Sequence, residues 1–315
     1  MKKVCCTGGA GFLGSAVVKA LCRTHSVVVL DDTSRGSWDR LDNVPCHRVP
    51  GDIRNPKWVD LALGGCDSVI HMAAINGTQN FYDKPGLVLD VGIRGTLNVI
   101  DACKKHAIRE FLFVSSSEVY QTPNVVPTPE TVALMVPDVH NPRYSYGGSK
   151  IIGEQLALYY GAFDRLLLVR PHNVYGPDGG RDHVIPQLCR RVRNLSGNPL
   201  RIQGTGEESR AFCYVEDFVA GLLTVLEKGS HGEVYNIGSP VETTIKDVIG
   251  KLFWLAGIKE GSVAIVPSEA PSGGTSRRCP DVSKLKALGW DAKWDLIDGL
   301  HDTLRWYDRN PEAVK

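Results

Sequence analysis

Long apolar runs are missing from this sequence. None approaches the ~18 residues that span a bilayer, which excludes a transmembrane helix. Excess charge of either sign is missing too. With 36 Lys and Arg against 35 Asp and Glu, the net charge is +1, so no global field draws in nucleic acid or an anionic membrane. There is no charged block, low-complexity tract or internal repeat. The nine cysteines are odd in number and scattered, with no Cys-x-x-Cys pair. That argues against a disulfide framework or a zinc site and for reduced thiols in a cytoplasmic protein, with no metal expected. The first strand candidate starts at Lys3 and leaves no room for a signal peptide, so none is expected.

What remains is an ordinary soluble composition, 43% apolar and 23% charged over 315 residues, enough for one large domain or two modest ones. Strand candidates are Lys3–Thr7, Ser26–Asp31, His47–Pro50, Ser68–Met72, Glu110–Ser115 and Arg165–Pro171. Helices are predicted over Phe12–Arg23, Pro56–Leu63, Leu87–Lys105 and Ser145–Ala162. The near-continuous apolar run Val27-Val28-Val29-Leu30 suits a parallel sheet covered on both faces. Strands alternating with helices imply right-handed crossovers and a doubly wound α/β Rossmann sheet. After Pro171 glycine and proline become frequent, as at Gly176, Pro177, Gly179, Gly180, Pro186, Gly204 and Gly206. A last strand, Val263–Pro267, and an amphipathic helix, Leu296–Asp308, follow. We expect a cofactor domain over 1–171, rejoined by 208–238. A smaller C-terminal substrate-binding α/β region takes 172–207 and 239–315. Ligands of open α/β sheets bind at the carboxyl edge, between such parts.

Thr7 to Gly14 reads Thr-Gly-Gly-Ala-Gly-Phe-Leu-Gly, after a strand and at the start of a helix. In that context glycines at this spacing point to a dinucleotide. Gly8 permits the tight turn, Gly11 lets backbone N–H groups approach a pyrophosphate, and Gly14 allows close packing of the helix. Phe12 and Leu13 complete the loop–helix junction. Asp31, at the end of the second strand and 17 residues after Gly14, is placed to accept hydrogen bonds from ribose hydroxyls and to repel a 2′-phosphate. NAD is therefore favoured over NADP. Asp32 and Ser34 follow in the same turn. Arg35 either faces a phosphate or is a solvated loop residue. Asp52 and Ile53 follow the third strand, where they border an adenine; Asp52 is equally suited to forming the turn.

Tyr146 and Lys150 stand at i and i+4 on a predicted helix and so share a face. Lys150 as an ammonium would lower the Tyr146 phenol pKa and bind the nicotinamide ribose. Tyr146 would then take a proton from a substrate hydroxyl as hydride leaves its carbon. Thirty residues before Tyr146, a strand runs into Ser115-Ser116-Ser117-Glu118 at the same sheet edge. Ser116 can hydrogen-bond the same hydroxyl, or the serines can simply cap the loop.

Six motifs occur in order. They are the glycine loop, Val-Ile-His-Met-Ala-Ala over 69–74, Ser-Ser-Ser-Glu-Val-Tyr over 115–120, Tyr-Gly-Gly-Ser-Lys over 146–150, Arg-Pro-His-Asn-Val-Tyr-Gly-Pro over 170–177, and Arg-Ala-Phe-Cys-Tyr-Val-Glu-Asp over 210–217. Together they resemble the extended short-chain dehydrogenase/reductase family, specifically its NAD-dependent nucleotide-sugar epimerases and dehydratases, along nearly the whole chain. The resemblance implies that Ser116, Tyr146 and Lys150 are catalytic, with Ser117 and Glu118 beside them. It implies that Ala73 and Pro171 line the cofactor and that Asn173 and Arg210 hold a substrate diphosphate. Arg277-Arg278-Cys279-Pro280-Asp281 looks like the segment that closes the site in UDP-glucuronate decarboxylases. A diphosphate, with its two charges, independently suits Arg210 and Arg278; Arg278 reads otherwise as a surface residue.

The family oxidises a sugar hydroxyl, usually at C4, and the ketone acidifies neighbouring C–H bonds. Epimerisation, dehydration or decarboxylation then follows. Glu118 matches the acid/base glutamate of the 4,6-dehydratases, where a carboxylate removes the C5 proton; alternatively it caps the strand end or pairs with an arginine, in a simple 4-epimerase or ketoreductase. Asn141-Pro142-Arg143-Tyr144 is similar to a stretch of some UDP-glucuronate decarboxylases, and Arg143 either meets a substrate carboxylate or lies in an exposed loop. The sequence departs from the family at Gly92, where an Asn is usual, at Gln203, where an aromatic often stacks on the base, and at Ala270-Pro271-Ser272-Gly273. Gln203 and His183 are still expected to line the substrate pocket; His172 falls near it, and each histidine either touches the sugar or is a satisfied loop residue. The base is left open among UDP, GDP, CDP and dTDP. A non-catalytic NAD(H) sensor on the same fold is the alternative of another class, and the intact Ser116, Tyr146 and Lys150 argue against it. The family's dimers form through two helices, here Leu87–Lys105 and Ser145–Ala162, so a homodimer is expected.

Overall fold

The computed structural model describes residues 1–180, 183–195, 199–269 and 273–313. The Ala270-Pro271-Ser272 departure lies outside them. Seven strands form the central sheet: β1 (Lys3–Thr7), β2 (Ser26–Asp31), β3 (Cys46–Pro50), β4 (Ser68–His71), β5 (Glu110–Val114), β6 (Arg165–Pro171) and β7 (Val234–Ile237). Their spatial order is β3-β2-β1-β4-β5-β6-β7, and every pair is parallel. The chain starts in the middle, winds one way to β3, then crosses back to β4. That reversal beside β1 is where an open α/β sheet leaves a crevice at its carboxyl edge.

Successive side chains on a strand point to opposite faces. Val28 and Leu30 accordingly join one core with Phe111 and Phe113. Val27 and Val29 join the other with Leu112 and Val169. One apolar run thus feeds both cores, which is why β2 shows no polar alternation.

Two helices are broken within their predicted spans. The stretch 87–105 starts earlier, at Pro85, and is broken into Pro85–Leu89, a widened π turn over Asp90–Gly95, and Thr96–Lys105. The widening coincides with two glycines under pressure. A Cβ on Gly92 would lie 2.6 Å from Ser149 Oγ, and one on Gly95 would lie 2.4 Å from Ile53. The backbone yields where neighbours press closest. Gly92 is therefore required by Ser149, which fills the space an Asn would need. The second helix is regular over Ser145–Gln155 and widens over Leu156–Tyr160.

A third core lies beyond the carboxyl edge. It gathers Tyr175, Ile185, Leu188, Ile202, Val248, Leu252, Leu300 and Leu304. Phe12, Leu13 and Ala16 of the first helix, α1 (Phe12–Leu21), pack against it. The glycine loop thus sits at the seam of two cores. The chain returns to the sheet through the helix Val215–Lys228 and β7. Val282, Leu285 and Trp290, grouped on sequence with the substrate-binding region, belong instead to the sheet's second core, with Leu285 and Trp290 packed against Gly221.

Candidate active site

A cavity of about 330 Å³, ample for a small-molecule ligand, opens at the carboxyl ends of β1, β4 and β5 and faces the third core. The glycine loop forms its floor. Gly8 has φ +72°, and a Cβ there would lie 2.7 Å from Ala73 N. A Cβ on Gly14 would lie 2.0 Å from Gly8 O. No side chain is admitted at either place. Gly11 caps α1 without any side-chain bond, so no side chain competes for the first-turn N–H groups. This is an anion cradle that fits the pyrophosphate of a dinucleotide.

The remaining cofactor candidates surround that cradle. Asp31, Asp32, Ser34, Arg35, Asp52, Ile53, Ala73 and Pro171 all line the cavity with Phe12 and Leu13. Asp31 is buried. Its Oδ2 accepts from Ala10 N (2.9 Å) and its Oδ1 from Thr33 N (2.8 Å), so the turn holds the carboxylate in place. Burial pushes its pKa up, and the two backbone bonds oppose that. Asp52 forms the turn, accepting from Arg54 N (2.8 Å) and Arg54 Nη2 (2.6 Å), and also lines the cavity.

The opposite wall carries Ser116, Ser117, Glu118, Tyr146 and Lys150, which the fold brings together in one cavity. Tyr146 is buried, stacked on Phe81 with centroids 5.0 Å apart. Burial pushes its phenol well above the ordinary range, while a hydrogen bond with Ser116 opposes the rise. Lys150 does not deliver the expected lowering in this state. Its Nζ donates to Val114 O (2.8 Å) and sits 5.8 Å from the centre of the Tyr146 ring. Burial brings Lys150 down to about 8, and the nearby Glu154 carboxylate resists that.

Glu118 is not free. Its Oε1 accepts from Arg278 Nη1 at 2.6 Å, and Arg143 Nη2 stands 3.8 Å from its Oε2. Burial disfavours the charge, but Arg278, Arg143 and Arg210 more than compensate and hold the carboxyl at about 2. Arg278, read on sequence as either a diphosphate ligand or a surface residue, is buried, and its Nε has no partner. Arg143 is not an exposed loop residue either, since its side chain is 10% exposed and its Nε donates to Gly273 O. Arg210 is held by Thr275 O (2.6 Å) and Ser209 O (2.7 Å). Burial and its arginine neighbours lower it to about 10. Three guanidiniums facing one carboxylate leave an excess of two positive charges, which matches a diphosphate.

Asn173 and His183 also line the cavity. Gln203 does not. Along Leu200–Gln203 burial alternates, so Leu200 and Ile202 turn inward and Gln203 faces solvent on a separate shallow pocket. This corrects its assignment as a substrate residue, and the reason is strand parity. His172 is fully buried outside the cavity, its Nε2 3.1 Å from Asn236 Oδ1, and burial first of all holds it down to about 3. Sequence reasoning missed Phe81, and it missed Arg40. Arg40 lines the cavity and pairs twice with Asp178, Nε to Oδ2 (2.5 Å) and Nη2 to Oδ1 (2.7 Å). No local pattern signals a partner 138 residues away. Among the described residues, no group of three or more His, Cys, Asp or Glu could hold a metal ion.

The chain belongs to the NAD dependent epimerase/dehydratase family, whose model matches residues 4–238. It is thus an NAD-dependent enzyme of the extended short-chain dehydrogenase/reductase type. It is 34% identical over 310 residues to the low-salt glycan biosynthesis protein Agl12 of Haloferax volcanii, covering 96% of this chain and 97% of that one. It is 32% identical to a UDP-N-acetyl-alpha-D-glucosaminuronate decarboxylase of Bacillus cytotoxicus, covering 98% of each. Among solved structures it resembles the dTDP-glucose 4,6-dehydratase DesIV of Streptomyces venezuelae with NAD bound. That match has a TM-score of 0.88 and 27% identity, and covers 99% of this chain and 100% of that one.

Proposed function

We propose that this enzyme oxidises a hydroxyl of a nucleotide-diphosphate sugar, at C4, with NAD that is kept and recycled. The observation that carries this reading is the arrangement of one cavity. It has an anion cradle for a dinucleotide on one side, Ser116, Tyr146 and Lys150 on the other, and Arg210 and Arg278 at the substrate end, with Arg143 standing beside Glu118.

Bound NAD supplies a hydride acceptor and a cationic ring. Gly8, Gly11 and the start of α1 hold its pyrophosphate, and Asp31 takes its ribose hydroxyls. Ser116 orients the sugar hydroxyl. Tyr146 acts as the phenolate, its charge steadied by the Lys150 ammonium and the cationic ring, and becomes the neutral phenol as it takes the hydroxyl proton. Arg210 and Arg278 hold the diphosphate, with Asn173 beside them.

The fate of the ketone depends on Glu118. Held by Arg278 and Arg143, it is too weak a base to remove a C5 proton. A diphosphate that draws Arg278 away raises its basicity and frees it for that step. The ion pair equally supports a second reading, 4-epimerisation or ketone reduction with Glu118 structural.

A panel of UDP-, GDP-, CDP- and dTDP-hexoses tests the proposal. At least one member is expected to reduce the bound cofactor, seen by absorbance, and to exchange solvent deuterium into C5. Reduction without exchange leaves the second reading, and no reduction by any member refutes both.

The nine free thiols support a cytoplasmic setting. Exposed Leu89, Ile152, Tyr159 and Tyr160 on the two widened helices support a homodimer. Light scattering at micromolar concentration is expected to give twice the chain mass, and a monomer would contradict it.

A further inference from the structure

A buried ion pair lies behind the active-site wall and is not part of the chemistry described so far. Glu154 and Arg170 have side chains 5% and 4% exposed, and neither lines the cavity. Glu154 follows Lys150 by one helical turn, on the same face. Its Oε1 accepts from Ser115 Oγ (2.5 Å) and Arg170 Nε (2.9 Å), and its Oε2 accepts from Arg170 Nη2 (2.6 Å). Arg170 Nη1 in turn donates to the Tyr120 hydroxyl (2.7 Å), which donates to Asn236 Oδ1 (2.9 Å).

Besides the Glu130 carbonyl, which Arg170 Nη1 also reaches (3.1 Å), the residues this pair grips are Ser115 and Tyr120. They are the two shoulders of the short turn that presents Ser116, Ser117 and Glu118. The same helix face holds the preceding residue as well, through Lys150 Nζ to Val114 O. Taking two charges out of water costs about as much as their attraction returns, so stability alone is a weak reason for such a pair. Position is the better reason. Within the turn Glu118 N donates to Ser116 Oγ (3.1 Å) and Val119 N to Ser116 O (3.2 Å), bonds that fix its shape but not its place against the helix, and Gln121 at its end has φ +51°, a conformation side chains disfavour.

We propose that Glu154 and Arg170 are positioning residues, holding the turn of Ser116 to Glu118 at both shoulders and in register with Tyr146 and Lys150. Ser115 and Tyr120 are the links. The inference rests on the proposed function, because its readout is reduction of the bound cofactor by a nucleotide hexose.

Glu154→Gln would strand Arg170 as a buried unpaired cation and is the variant at risk of not folding. Ser115→Ala and Tyr120→Phe each remove one grip and leave the ion pair whole. With a nucleotide hexose that reduces the wild-type cofactor, each is expected to slow single-turnover reduction at saturation about tenfold, since small misplacements of reacting groups are costly. KM and the melting temperature should stay close to wild type, and Ser115→Thr should restore the rate. Rates at saturation equal to wild type would overturn the inference. So would losses that follow melting temperature and are not rescued by Ser115→Thr. If no hexose reduces the wild-type cofactor, the proposed function fails and takes this inference with it, a result distinct from equal rates in wild type and variants.

Discussion

The two walls of the cavity are built from different materials. The cofactor wall is made of backbone and missing side chains: Gly8 and Gly14 leave no room for a Cβ, and α1 begins uncapped. Its key side-chain bond, Ala10 N to Asp31, spans 21 residues. The substrate wall is made of charges brought from far apart, with Glu118 meeting Arg278 across 160 residues. Shape recognises a ligand common to many chemistries. Charge pairs, which can exchange partners when an anion arrives, suit the side where substrates differ.

The contrast can be broken most sharply where the walls meet. Tyr146→Phe is expected to retain NAD yet lose about 10²- to 10⁴-fold in cofactor reduction, measured in a single turnover. On the cofactor wall, Gly14→Ala drives a methyl into Gly8 O; it should cost about 1–3 kcal/mol by thermal melting and lower the NAD content of the purified protein. On the substrate wall, Arg278→Gln should leave NAD content unchanged and weaken substrate binding by about 2 kcal/mol or more in titrations. With Lys150 at about 8 in the free protein, the ammonium is present below that pH and lost above it. Cofactor reduction should therefore fall as pH rises through about 8, and a rate that stays flat well beyond would remove Lys150's charge from the mechanism. Gln203→Ala should change KM by less than about twofold, because a solvent-facing strand residue off the cavity contributes little.

Much of this was legible beforehand, and unevenly. Lys3–Thr7, Ser26–Asp31 and Arg165–Pro171 read true to the residue, because apolar runs bounded by Gly and Asp are local signals. The strand, loop and helix around Gly8 to Gly14, the strand end at Asp31 and the helix that carries Tyr146 and Lys150 were equally legible, since strand–loop–helix order and a four-residue spacing are local signals. Gln203 misled because a motif position does not say which face of a strand a residue takes. The break in the helix 87–105 was invisible because it arises from partners, Ser149 and Ile53, that only the fold supplies. The state of Glu118 was likewise out of reach. Its carboxylate was evident, but the arginines that hold it come from segments around 143, 210 and 278.

The Arg40–Asp178 pair has a consequence for cofactor traffic. It joins the loop after β2 to the segment after β6 that carries Gly179 and Gly180, and both line the cavity. Arg40 also donates to Ala10 O in the glycine loop itself. A dinucleotide that left by that side would have to part a two-pronged, half-buried salt bridge. Under the proposed function, the hydride taken from one sugar would then be returned before the cofactor exchanged. An enzyme working so would be indifferent to the ratio of oxidised to reduced dinucleotide in the surrounding cell, carrying its own redox supply from one turnover to the next.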